Sequence, residues 1–291
     1  MNLDPSLLEQ LDAKRIKAVR YLSLAAVFFV FGFLSFFVTF FRFYPFLIII
    51  MIGAVIFFII GTSHRNQYQS EVKEKILKAY FASRFEDIQY EPDHGFSRDY
   101  IRSTELVSMG NRFYSNDLLK GKAKGISFKR SDVLIQEHTQ HEKHSTTITL
   151  YQGEWMVFTF PKPFNGILQI RDNEGRVFKN RKPFFWFSDL PKTDVLKFEN
   201  PEFNQRYTIY ASDPQEAYYL ITPHLMDKIT KLDDRLDCPI LLGFINQEFH
   251  VALDSRRDAF KIGLKPISQQ FLAQIEQDCQ IIEEIVEGLN L

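Results

Sequence analysis

YLSLAAVFFVFGFLSFFVTFF, residues 21–41, runs for 21 residues without a charged side chain. An α-helix needs about 20 such residues to cross a hydrocarbon core roughly 30 Å thick. FLIIIMIGAVIFFIIGT, residues 46–62, adds 17 more. Only Arg42-Phe43-Tyr44-Pro45 separates the two runs, and Pro45 can stop one helix and start the next. The pair reads as a transmembrane helical hairpin. A signal peptide does not fit, because the first run is too long and a second span follows at once. A soluble core helix rarely stays uncharged on every face for this length.

The flanks set the expected orientation. Lys14, Arg15, Lys17 and Arg20 precede the first span, and Arg65, Lys73, Lys75 and Lys78 follow the second. The intervening loop carries only Arg42. Positive flanks stay in the cytoplasm, so both termini are expected there. The spans contain no Asp, Glu, Lys or His and so offer no proton relay or ion pathway. Gly53 and Gly61 lie eight apart, which is not a GxxxG pair, and no dimer is implied. The expected layout is a cytosolic segment over residues 1–20, the hairpin over 21–62, and a cytosolic domain over 63–291.

The whole chain of 291 residues has a net charge of −1 and is 45% hydrophobic, enough for a packed core and without the basic excess that nucleic acid would ask for. Cys238 and Cys279 form no CxxC pair and read as separate apolar-packed thiols rather than a disulfide or a zinc ribbon.

Beyond the hairpin, residues 71–85 carry apolar side chains at helical spacing and read as an amphipathic helix leaving the membrane. Lys73, Lys75 and Lys78 on it are candidates to touch anionic headgroups, and Arg42 to snorkel to the interface. A short helix is expected over 97–104. The period then changes from 3.6 to 2. Strands are expected at 118–124, 126–128, 133–136, 146–151, 155–160, 167–170, 177–179, 195–198 and 206–210. Lys124-Gly125, Gln152-Gly153, Asn165-Gly166 and Asp172-Asn173-Glu174-Gly175 are read as turns between them. A β-hairpin is expected around Asn246-Gln247, and a last helix from a cap at Ser268. The fold class is α+β: the helical hairpin followed by one soluble domain with a mainly antiparallel sheet and flanking helices.

Asp213-Pro214-Gln215-Glu216 places two carboxylates three residues apart beside aromatics. A catalytic acid pair also needs a pocket. Asp at N-cap, Pro at N1 and Glu at N3 is instead the chemistry of a helix start. Thr222-Pro223 opens a further helix in the same way.

Glu137-His138-Thr139-Gln140-His141-Glu142-Lys143-His144 is the one cluster with metal-ligand chemistry. His138, His141 and His144 recur every third residue with carboxylates beside them. The spacing is not HExxH, and on a strand every third residue changes face, so convergence would need a loop or a helix. A solvated hairpin loop is the plainer reading, and no cofactor is expected. Residues 178–187, FKNRKPFFWF, mix Lys and Arg with aromatics, and Trp186 is a candidate lipid contact there. Core aromatics beside a charged turn are the plainer alternative. There is no GxSxG, and Gly121-Lys122-Ala123-Lys124-Gly125 lacks Walker spacing. No catalytic residue is assigned.

The block over residues 195–232 resembles a bacterial family of uncharacterised two-span membrane proteins, a domain of unknown function with some members mislabelled galanin. The resemblance rests on Phe203, Tyr207, Tyr210, Ser212-Asp213, Glu216-Ala217, Tyr219, Leu220-Ile221-Thr222-Pro223 and Gly243-Phe244. Looser similarity at 116–121, 126–128 and 153–160 extends it over most of 66–255. The family pattern has a basic residue where this chain has Tyr218. The resemblance implies a bacterial inner-membrane setting and transfers no catalytic residue. The expected protein is a membrane-anchored, cytosol-facing interaction module. It would bind a protein partner or the lipid bilayer surface, and no nucleic acid. The alternative is a metal-dependent enzyme using the His138–His144 cluster.

Overall fold

The computed structural model describes residues 4–38, 44–141, 144–159, 164, 166–173, 194–236, 238–245 and 247–289. The chain forms two compact units. One comprises Met1–Ser83 with Lys261–Gln274, the other Arg84–Phe260 with Ile275–Leu291.

The first unit is built on two long helices, α1 (Pro5–Val38) and α2 (Tyr44–Val72). Both are long and apolar enough to cross a membrane. Val27, Phe29, Phe31 and Leu34 on α1 and Ile49, Ile52, Phe58 and Ile59 on α2 are each more than half exposed. Water does not repay such exposure, and lipid does. The buried stripe of α1 is Leu11, Ala18, Ala25 and Gly32, and that of α2 includes Leu47, Ala54, Gly61 and Tyr68. Each stripe repeats every seven residues, which keeps it facing the partner helix. Small side chains bring the backbones close. A Cβ on Gly61 would lie 2.8 Å from the Leu22 Cγ and 3.0 Å from the Leu22 backbone nitrogen.

At 34 residues, α1 is about 51 Å long, well beyond the hydrocarbon core. The excess pairs polar ends: Lys14 with Glu71, and the Tyr21 ring stacked on His64 at 5.6 Å. The amphipathic helix expected over 71–85 is not separate. After Val72 a π-helical turn, Lys73–Leu77, leads straight into α3 (Lys78–Arg84). No Pro or Gly interrupts residues 63–84, so nothing breaks the rod.

The second unit holds a sheet of nine strands. In chain order its elements are β1 (Glu86–Glu91), α4 (Arg98–Ser103), β2 (Arg112–Ala123), β3 (Ile126–His141), β4 (His144–Thr159), β5 (Ile167–Asp172) and β6 (Asp194–Leu196), then α5 (Pro201–Arg206), β7 (Tyr207–Ala211), α6 (Pro214–Leu220), α7 (Pro223–Arg235), β8 (Ile240–Ile245), β9 (Glu248–Leu253) and α8 (Gln269–Leu289). The strand order is β1-β2-β3-β4-β9-β8-β5-β7-β6, with antiparallel pairing throughout. The α+β class with a mainly antiparallel sheet stands as expected.

Strand alternation gives the central strands two different faces. On one, Val133, Ile135, Trp155, Val157 and Ala252 join Phe96, Ile101, Leu106 and Val107 in an apolar core. On the other, Arg130, Asp132 and Glu154 are buried together.

Several expected breaks are absent. Residues 126–128 and 133–136 belong to one strand, as do 146–151 and 155–159. Gln152-Gly153 is therefore not a turn. Gly153 sits mid-strand because a Cβ there would collide with the Leu253 carbonyl oxygen, so glycine marks a close backbone approach. Within the expected solvated loop at 137–144, residues 137–141 and 144 are paired strand ends, with His138 opposite Thr147 and His141 opposite His144. The β-branched Thr146, Thr147 and Ile148 favour extension there. Lys124-Gly125 is a turn, with φ of 52° and 83°, the two-residue geometry suited to a right-twisted hairpin. The expected strand at 177–179 lies outside the described residues. Strand β1 and helix α5 were not expected.

Candidate functional site

The short helix α6 presents an exposed pair of aromatic side chains. Asp213 Oδ1 accepts hydrogen bonds from the backbone nitrogens of Gln215 at 2.9 Å and Glu216 at 3.1 Å. Pro214 occupies the first turn, where its missing N–H costs nothing. Capping thus accounts for Asp213. The inner side of the helix is pinned by buried Ala217 and Ile221. That leaves Tyr219 84% exposed and Tyr218 50% exposed. The Tyr218 hydroxyl donates to the Lys197 carbonyl at 3.2 Å, and its ring lies 4.9 Å from that of Phe198. Val195 on β6 is also more than half exposed. Two exposed aromatics on a capped helix are the kind of anchor found at protein interfaces.

A second constellation is buried. Arg130 on β3 is 1% exposed and grips Asp132 through two hydrogen bonds, of 3.0 and 2.9 Å. Its guanidinium lies 3.9 Å from the Phe260 ring centroid. Glu154, opposite Asp132 on β4, is also 1% exposed. Its Oε2 lies 3.7 Å from Arg130 Nη2, and its Oε1 lies 3.3 Å from Arg257 Nη2. Arg257 reaches Asp278 of α8 at 2.6 Å. Burial, opposed by Arg130 and reinforced by Asp278, pushes the Glu154 carboxyl up to about 7. Burial also holds Asp278 above the usual carboxylate range. A cleft of about 400 Å³, lined by Glu154, Cys238, Ser255, Arg257, Gln280 and Glu284 among others, leads to this group.

Asp117 extends the network from a bulge in β2, where it adopts φ of 58° and accepts the Tyr90 hydroxyl. Asp and Asn tolerate this left-handed conformation better than most residues. Asp117, Asp132 and Asp258 bring carboxylate oxygens within 4.8 Å of one another. The sequence held one local sign of this network: charged residues at alternate positions, Arg130 and Asp132, in an otherwise strand-like run. Their partners come from distant segments.

The residues singled out in the sequence lie elsewhere. His138 is half-buried on β3, with Nδ1 2.9 Å from Thr147 Oγ1. His144 is exposed at the start of β4. Backbone alternation puts positions 138 and 141 on opposite faces. The His141 side chain and residues 142–143 lie outside the described residues. Lys75 pairs with Glu71 at 3.1 Å and Lys78 with Glu74 at 3.5 Å. Lys73 lies on the π-helical turn. Arg42 and Trp186 lie outside the described residues. Cys238 and Cys279 are free, and burial pushes both thiols up to about 12, far from reactive.

Residues 149–291 match a family described as "Protein of unknown function (DUF3137)". The matched region runs from within β4 to the end of the chain. It includes the α6 surface, Glu154, Arg257 and Asp278, but not Arg130 or Asp132. No curated protein matches the chain. Among solved structures, the mycobacterial trehalose monomycolate transport factor A, TtfA, is similar with a TM-score of 0.36 and 9% sequence identity, over 73% of this chain and 93% of that one. Similarity at that level carries no functional argument.

Proposed function

We propose that the chain is a membrane-anchored interaction module whose second unit works on the cytosolic side and binds a protein partner. The anchor is the α1–α2 hairpin, whose exposed apolar faces suit lipid. Lys and Arg on both outer flanks favour cytoplasmic termini, and the resemblance favours a bacterial inner membrane. The domain boundaries in this reading are 1–20, 21–62 and 63–291. The observation that carries partner binding is the exposed pair Tyr218 and Tyr219 on a helix fixed by its Asp213 cap.

The test is proximity crosslinking of full-length protein in its native membrane, comparing wild type with a Tyr218→Ala/Tyr219→Ala variant of equal stability. A partner crosslinked by the wild type and lost in the variant supports the proposal. If the variant keeps every crosslink, the α6 surface is not the interface. Binding of residues 63–291 to anionic vesicles, weakened by Lys73→Ala/Lys75→Ala/Lys78→Ala, would point to the lipid surface instead. Stoichiometric metal in the purified protein, lost in His138→Ala/His141→Ala/His144→Ala, would favour the metal-dependent enzyme.

A further inference from the structure

Five buried or half-buried charges meet where β3, β4, the loop after β9 and α8 converge within the second unit. Arg130 and Arg257 are the cations, and Asp132, Glu154 and Asp278 the carboxylates. Fully ionised, these five carry a net charge of −1, and Asp117 and Asp258 beside Asp132 add to the negative excess. Arg130 is committed to Asp132 by two hydrogen bonds and lies over Phe260. Arg257 makes its closest contact with Asp278. Among the described residues, Glu154 Oε2 and Asp278 Oδ2 are buried without a hydrogen-bond partner. An ionised carboxylate in that state is costly, and a proton on it lowers the excess negative charge.

We infer that Glu154 is the proton-binding element of a latch holding residues 275–289 of α8 on the sheet, closed while Glu154 is protonated and loosened when it ionises. The cleft gives the proton a path from solvent. On ionisation, the new charge on Glu154 competes with Asp278 for Arg257 and repels Asp278 itself. The groups facing Glu154 are Arg130 and Asp132 from β3, Arg257 from the loop, and Asp278 from α8, with Cys238 ahead of β8 acting at longer range. Glu284 of α8 and Arg235 of α7 pair at 3.7 Å at the cleft, and Asp117 acts on Arg130 from β2. Among the described residues, Glu154 is the buried carboxylate with ion-pair contacts to both arginines.

The direction follows from the proton balance. The closed state holds a proton up to about pH 7, whereas an opened, solvated carboxyl releases it near 4.5. Closure is therefore strongest below the lower value, weakens as pH rises through the window, and is flat above it. This does not depend on the α6 surface binding a partner.

The test is hydrogen exchange of the full-length protein in detergent micelles, from about pH 5 to about pH 8.5, corrected for intrinsic rates. In the wild type, protection of residues 275–289 should fall at least about tenfold as pH rises. Glu154→Gln, which mimics the protonated form, should stay protected and lose the wild type's fall with rising pH. Protection of β3 and β4 reports whether that variant is folded. If it is not, Asp278→Asn, which removes the repelled group, should make the fall with pH shallower in its place. A wild-type profile without pH dependence overturns the latch. So does a folded Glu154→Gln that still follows the wild-type curve.

Discussion

Asp213 and Arg130 both hold neighbours by charge-assisted hydrogen bonds, yet removing them should have very different consequences. Asp213 caps one short helix at the surface. Asp213→Ala should cost about 1 kcal/mol, read as a lower urea midpoint with an unchanged slope, and Asp213→Ser should recover most of it. Arg130→Met would leave Asp132 buried without its cation and Glu154 with Arg257 alone. That should cost about 3–5 kcal/mol, with the same measurement separating it clearly from the cap. The first was readable in the sequence because an N-cap acts on residues two and three positions away. The second was not, because Arg130 gains its meaning from Glu154, Arg257, Phe260 and Asp278, which only the fold brings to it.

At the level of elements, glycine does two jobs. Gly61 lets α1 and α2 approach, and Gly153 lets β4 pass the Leu253 carbonyl. Gly153→Val should disrupt the β4–β9 pairing, lowering stability by at least about 1–3 kcal/mol, with exchange protection lost first in β9. Gly61→Leu should separate the hairpin helices without unfolding the sheet. Engineered cysteine pairs across the Ala18–Ala25–Gly32 seam would then crosslink more slowly than in the wild type. The seam was present in the sequence as a seven-residue repeat of mostly small residues, Ala18, Ala25 and Gly32 against Leu47, Ala54 and Gly61. A search for GxxxG passes over it, because that motif describes a different crossing. The long β3–β4 hairpin was readable only in pieces, since its interior Gly153 imitates a turn until the neighbouring strand explains it.

For the molecule as a whole, two buried groups pull the pH dependence of stability in opposite directions. His250 is 1% exposed, accepts a hydrogen bond from Trp155 Nε1 at 3.3 Å, and is held by burial down to about 4. The unfolded chain binds that proton from 6.5 downwards and the folded one does not, so stability is lost as pH falls from 6.5 towards 4. Glu154 acts the other way, losing stability as pH rises from 4.5 towards 7, with Asp278 adding to it. Each contributes up to about 1.4 kcal/mol per pH unit where it titrates. Wild type should therefore vary little between 4.5 and 6.5, where the two oppose. Glu154→Gln should unmask a stability that rises with pH, and His250→Gln one that falls. Thermal unfolding across that range measures both slopes. Parallel slopes in the two variants would contradict the assignment.

The apolar hairpin, the α+β class and the caps at Asp213, Thr222 and Ser268 were determined by the sequence alone, because each depends on residues within a few positions or on the bulk character of one segment. The joining of strand pieces around Gly153, the placing of His138 and His144 on paired strands, and the buried charges around Glu154 were decided only by tertiary structure. Burial and long-range pairing create those features, and neither has a local signature in the chain.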